Sequence, residues 1–280
     1  MSHRKSKVAL KFWLSKRAIS LPISFLMLFV SLTVIVSATY YVSVAKIQSR
    51  GKMLNIAVAK QNMVSFENAM RLIKWSPGTS NVYQFEDSGG TFKACPTAKN
   101  LLLNITDNDT FYDIAFNISV GKAVYELPSA EVAVSTVYLR GDERAIINQS
   151  IFTMAQLYLA PRSPSPELTL TYRPLATISE TGSSDGKPVN TLRLYIINLN
   201  SSTALSAIGE FNIKATCVNV TSNVETYNFT SLIASLLVKS TLDGRSNTVI
   251  LPVSSNANGA FVKVETLVCN IKLERVQGGS

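Results

Sequence analysis

Residues 18–45 form a run of 28 positions without a charge. A helix that crosses a bilayer needs roughly 20 such residues, so this run has length to spare. The pattern then changes without stopping. Ile56, Ala59, Met63, Phe66, Met70 and Ile73 follow one another at steps of three and four, which puts them on one face of an amphipathic helix. Gly51 is the weak point of this helix, and Trp75-Ser-Pro-Gly78 is a stop signal. Pro22 falls in the first turn, where proline costs little, if the helix starts near Ser20. The pattern therefore predicts one helix over residues 20–75, about 80 Å long at 1.5 Å per residue.

From Asn81 onward the period shortens to that of strands and turns. Residues 101–105, 111–116, 123–127, 132–139, 151–159, 168–173, 191–199, 210–220, 248–253 and 260–273 are rich in Val, Ile, Thr, Tyr and Phe, with turn residues between them. Two hydrophilic breaks, residues 161–166 and 181–188, are candidates for separating subdomains. Residues 226–240, with Phe229, Leu232, Ile233, Leu236 and Leu237, read as a short helix. The expected fold class is α+β: a long N-terminal helix followed by an all-β, sandwich-like domain of roughly 8–10 strands. Residues 1–18 form a basic leader, residues 19–76 the helix with its membrane segment at 19–45, and residues 77–280 the β-rich domain.

Charge decides where each part sits. The whole chain carries +9, but residues 1–75 hold twelve basic groups and one acid, Glu67, while residues 76–280 sum to −2. Basicity therefore belongs to the membrane flanks, and a nucleic-acid partner loses its main support. Six positive charges precede the apolar run with no acid among them, which places the N-terminus in the cytoplasm and the β-rich domain outside. Lys46, Arg50 and Lys52 flank the far side and weaken this bias without reversing it.

Little in the chain resembles catalytic machinery. The one histidine, His3, lies in the tail before the membrane segment, so an external Ser-His-Asp or Cys-His arrangement cannot form. Phosphate-binding, dinucleotide and zinc-protease motifs are missing, and no cofactor or metal is expected. Asp107-Asn-Asp109 reads as a turn rather than a Ca²⁺ loop, because it lacks the spaced ligands and terminal Glu of such a loop. Arg140-Gly-Asp142 spells a recognition tripeptide but reads more simply as a hairpin turn between two strands. Cys95, Cys217 and Cys269 have no metal-site spacing. Cys217 and Cys269 both fall in late strand segments and are the candidate disulfide, with buried free thiols the alternative.

The sequon N-x-[ST] occurs at Asn104, Asn108, Asn117, Asn148, Asn200, Asn219 and Asn228, against the roughly four that composition alone would give. All seven follow the membrane segment, on the side assigned to the exterior. They are candidate N-glycosylation sites, in competition with an ordinary Ser/Thr/Asn-rich β surface.

Three readings compete for the N-terminus. A cleaved secretory signal has candidate sites at Val36-Ser-Ala38 and Ser43-Val-Ala45, but its apolar core is normally about 7–15 residues. A plain signal anchor explains length and charge but not the unbroken helix. The third reading starts from Lys16-Arg-Ala-Ile-Ser-Leu-Pro-Ile-Ser24 and the Leu/Val/Ile-rich run after it. This stretch resembles the class III (prepilin) signal of archaeal type IV pilin-like proteins, in which the apolar segment stays on the mature chain. The resemblance implies that Arg17 and Ala18 precede the cut and Ile19 becomes the new N-terminus. Ser20-Leu-Pro-Ile23 carries one residue more between Ser and Pro than the family's usual start. Ile23 stands where bacterial members carry a glutamate. The resemblance covers residues 16–75, and loosely the layout of helix then β-domain.

Together these features lead to the expectation of a non-enzymatic structural or minor subunit of a surface filament, displaying a β-domain for adhesion. Its partners would be the membrane, a prepilin peptidase-like enzyme, and other pilin-like subunits through the N-terminal helix. The alternatives are a single-pass surface glycoprotein with a ligand-binding β-sandwich and, third, an extracellular hydrolase using carboxylates.

Overall fold

Helix α1 (Ser15–Ile73) opens the described part of the chain. A computed structural model describes residues 15–107, 109–128, 135–162 and 165–276, with side chains from residue 23 onward. α1 starts earlier than the apolar pattern predicts, so Pro22 lies in its second turn rather than its first. Two compact units divide the chain, Met1–Leu54 and Asn55–Ser280. Within the first unit, the helix side chains from residue 23 to 54 are almost all exposed.

In the second unit the six-residue stripe behaves as its period requires. Ala59, Met63, Phe66 and Met70 are fully buried, Ile73 nearly so, and Ile56 packs against the same core. Two neighbours fix the rotation of this segment. Glu67 is buried and accepts a 2.5 Å bond from the guanidinium of Arg140. Asn62 donates to the Glu86 carbonyl at 2.8 Å and accepts from the Tyr83 hydroxyl.

Thirteen strands follow among the described residues. One sheet contains β1 (Ser80–Phe85), β10 (Phe211–Phe229), β13 (Ala260–Val276), β8 (Lys187–Asn198) and β7 (Leu175–Ser184), in that order. The other runs β12 (Arg245–Pro252), β11 (Ser235–Leu242), β2 (Thr91–Thr106), β3 (Tyr112–Glu126), β6 (Glu167–Tyr172), β5 (Ala155–Ala160), β4 (Val137–Arg140), with β9 (Leu205–Ile208) beside β2. All pairings between these strands are antiparallel except β13 with β8. Buried side chains form two clusters. One receives the α1 stripe and holds Phe66, Phe85, Phe92 and Phe211. The other joins Leu101, Leu103 and Ile105 of β2 to Leu192, Leu194 and Ile196 of β8.

The α+β class holds, but the strand count exceeds the expected 8–10. Residues 111–116 and 123–127 fall into a single strand, β3, while β1, β7, β9 and β11 are strands that the apolar pattern misses. Residues 181–188 do not separate subdomains: they are the tip of the β7–β8 hairpin. Asp185 and Gly186 there both have positive φ, 50° and 73°, as do Asp243 and Gly244 between β11 and β12. This is the Asp-Gly turn whose twist suits a two-residue hairpin. The 151–159 segment is a strand only from Ala155, and residues 132–134 lie outside the described residues.

The helix expected at residues 226–240 is not there. β10 continues to Phe229, residues 230–234 cross to the other sheet, and β11 begins at Ser235. Burial then alternates, with Leu236, Val238, Ser240 and Leu242 inside. Leu232 with Ile233 and Leu236 with Leu237 imitate helical spacing. The ladder that β11 makes with both β2 and β12 satisfies its backbone on two sides and decides the outcome.

Phe66 lies 5.3 Å from the Phe85 ring and 5.6 Å from Phe92, with no exposure to solvent. Replacing Phe66 by Ala is expected to cost about 3–5 kcal/mol, read as a lowered urea midpoint of the detergent-solubilised chain. A cost under about 1 kcal/mol, as for a surface position, would mean that the helix is not seated here.

Candidate functional site

The first candidate is the apolar half of α1. It contains the one helix among the described residues that is long and apolar enough to cross a membrane. Phe25, Met27, Tyr40 and Tyr41 are more than two-thirds exposed. Three hydroxyl groups in this stretch are satisfied within the helix itself. Ser31 donates to the Leu28 carbonyl, Thr33 to Phe29 and Thr39 to Ile35, each at 2.8–2.9 Å. A polar group satisfied inside its own helix carries little of the cost of an unpaired one in lipid. Arg17, Ala18 and Ile19 have helical backbone, and their side chains lie outside the described residues, as does the whole of His3.

The second candidate is a groove of about 770 Å³ at one end of the β unit, bordered by Asp107, Phe111, Tyr227, Phe229 and Leu232. Phe111 meets the rings of Tyr227 and Phe229 edge-on at 4.8 and 5.2 Å. Burial raises the Tyr227 phenol well above its ordinary range, and its bonds to the Asp113 and Glu225 carboxylates raise it further. Asp107 behaves as the turn former the sequence suggests. One of its oxygens accepts the backbone N–H groups of Asp109, Thr110 and Phe111 at 2.8–3.0 Å. Its burial pushes the carboxyl up, but these N–H groups together hold it below the usual carboxylate range. Asp107, Asp113 and Glu225 are thus engaged by the chain's own donors. No cluster of metal-ligating side chains occurs among the described residues.

The Arg140-Gly-Asp142 tripeptide is committed to the fold. Arg140 holds Glu67, and Asp142 accepts from Arg144 and from the buried guanidinium of Arg173. Gly141 has a positive φ of 71°, but it opens the long connection from β4 to β5 rather than a tight hairpin. Arg173 draws the chain inward here, since its guanidinium also donates to the Thr153 and Arg144 carbonyls. A buried guanidinium needs these acceptors more than the chain needs a short turn. Sequence reasoning passed over Arg173 entirely. Glu67 carried one signal, as the single acid in the first 75 residues, but not its partner.

The structure brings Cys217 and Cys269 together and leaves Cys95 apart from them. The two sulfurs lie 3.5 Å apart, both buried and both thiols, while Cys95 is half-buried on β2. The sequons divide by exposure. Asn117, Asn148, Asn219 and Asn228 are exposed, Asn104 and Asn200 are half-buried, and Asn108 lies outside the described residues. The Asn104 Oδ1 atom is buried without a hydrogen-bond partner.

Comparison with known proteins finds no matching family model, no similar curated protein and no matching solved structure.

The Asp142 network gives a pH dependence. The bonds from Arg144 and then Arg173 hold the Asp142 carboxyl well below its ordinary value of 3.8. A depressed folded value means that its contribution to stability is full above about pH 4 and drains as pH falls further. Asp142→Asn is therefore expected to flatten the loss of stability between pH 4 and pH 2, measured by urea unfolding at each pH. An unchanged acid slope in that variant would assign the loss to other carboxylates.

Proposed function

We propose that this chain is an exported, membrane-inserted structural protein, resembling archaeal type IV pilin-like subunits, that carries a β-domain on the cell surface. The observation that supports it is the single helix from Ser15 to Ile73, which is free of charge from Ala18 to Ala45, almost wholly exposed from Ile23 to Leu54, and buried along one face in the β unit from Ala59. Exposed apolar area of that length needs hydrocarbon or other helices around it. Cleavage at Val36-Ser-Ala38 or Ser43-Val-Ala45 would remove most of the apolar run, whereas cleavage at Ala18–Ile19 removes only the first four helical residues, Ser15 to Ala18. Helices freed at the cytoplasmic face can leave the bilayer together by packing in a filament core.

A covalent detail supports the same cut. In an α-helix the N–H of residue 22 would bond the carbonyl of residue 18, and Pro22 has no N–H to give. The carbonyl of the Ala18–Ile19 peptide is thus relieved of its helical donor, which makes it easier for a protease to reach. In this reading Arg17 and Ala18 are read by a prepilin peptidase-like enzyme and Ile19 begins the mature chain. The aromatic groove at Phe111 and Tyr227 favours a second reading, a single-pass surface glycoprotein that binds a ligand and never polymerises.

Mass spectrometry of the mature N-terminus from cell envelopes separates these readings. A start at Ile19 is expected, and Ala18→Trp should leave full-length protein in the membrane. A start at Thr39 or Lys46 would mean a secreted β-domain, and an intact Met1 or Ser2 an anchored receptor. Glycopeptide analysis of the same material is expected to find modification at the exposed Asn117, Asn148, Asn219 and Asn228 in preference to Asn104 and Asn200. The reverse order would discount the exposed sequons.

A further inference from the structure

The two buried cysteines are 52 positions apart, on the two longest strands of their sheet, β10 and β13. Beyond Asn219 the register of these strands is regular, and extended backward it would set Cys217 opposite Lys272. One extra residue, Val218, makes a bulge and sets Cys217 opposite Ile271 instead, one step nearer Cys269. A bulge of this kind turns a strand and re-aims its side chains. The result is two sulfurs in contact at 3.5 Å with neither residue exposed.

The same pair holds the chain that leaves α1. Gly78 N donates to the Cys217 carbonyl at 2.8 Å, and Cys217 N donates to the Thr79 carbonyl at 3.0 Å. Trp75 N lies 3.5 Å from the Cys269 sulfur as its donor. Trp75 itself stands in the left-handed region, with φ of 66°, at the helix end where glycine is usual. Its ring meets Tyr195 edge-on at 5.5 Å, so the strained residue is held from both sides. Any pull on the helix relative to β1 passes through this connection.

We propose that Cys217 and Cys269 are joined by a disulfide in the mature protein, a covalent strap across β10 and β13 beneath the exit of α1. The proposal rests on the reading that the β unit lies outside the cell, where disulfides persist. The oxidant required is an external disulfide, such as that of a thiol–disulfide oxidoreductase. One cysteine thiolate attacks it to form a mixed disulfide and releases one of its sulfurs as a thiolate. The second cysteine thiolate then forms the S–S bond and displaces the other. The two cysteine thiol protons and the two electrons end on the oxidant, which leaves as a dithiol. Burial pushes the Cys269 thiol up to about 12, so once folded this cysteine has little thiolate to react. The strap therefore closes during folding, before β10 and β13 are covered.

The test is alkylation of the full-length protein from cell envelopes, denatured without reductant, followed by mass analysis. One label is expected, on Cys95, rising to three after reduction. Three labels without reduction, or a disulfide that includes Cys95, would overturn the strap. Reduction of the detergent-solubilised chain should lower its Tm by roughly 10 °C and speed tryptic cleavage after Lys74. Cys217→Ala/Cys269→Ala should reproduce both effects and be indifferent to reductant. Equal Tm and cleavage rate with and without reductant in the unmutated chain would also overturn it. Protease access to the β unit on intact cells is read separately. An accessible unit with three free thiols removes only the strap, whereas a protected unit removes the surface reading as well.

Discussion

The contact that the rest of the β unit depends on is the insertion of one helical stripe between its sheets. Phe66 and its neighbours Met63 and Met70 form the centre of a cluster to which β1, β2, β3, β5, β6, β10 and β13 all contribute side chains. Apolar burial of this kind is non-directional, so it does not by itself fix which way the helix faces. The direction comes from polar groups on either side of the stripe. Glu67 is buried against Arg140, and Asn62 is bonded to Glu86 and Tyr83. A rotation of the helix would strand a carboxylate in the core without its cation, an arrangement far more costly than the pair itself is favourable.

Much of this was legible in the sequence because it is written in periods. A charge-free run and a three-four stripe need no knowledge of partners, and both the helix and its buried face follow from them. The strands were harder, because a strand's pattern depends on what pairs with it. Residues 226–240 read as helix because Leu232, Ile233, Leu236 and Leu237 fall at helical spacing over a run too short to show the alternation of β11. The strands β1 and β7 escape the apolar pattern because half or more of their positions are exposed. The Asp-Gly turns at 185–186 and 243–244 were the one local signal that would have revealed two of the hairpins.

The candidate sites were legible to a different degree. Sequons and the candidate processing signal are local in sequence, so their positions follow directly, but exposure does not, and Asn104 is half-buried within a sheet. The tripeptide at 140–142 spells recognition in one dimension and serves packing in three, since Arg173 and Glu67 come from remote segments. The approach of Cys217 to Cys269 depends on a bulge at Val218, and nothing local to either cysteine announces it.

The position of β13 bears on the order of events in the cell. It is the last strand among the described residues, yet it lies at the centre of its sheet, between β10 and β8, and Ile271 and Leu273 help to line the cluster that receives α1. The seat for α1 is therefore incomplete until residues some 200 positions later have arrived. Contacts of such long range form slowly, because the entropy of closing the chain must be overcome first. Until then the α1 stripe has no cover within its own chain. Any cover during that interval must come from outside the chain, as a holding chaperone would supply it.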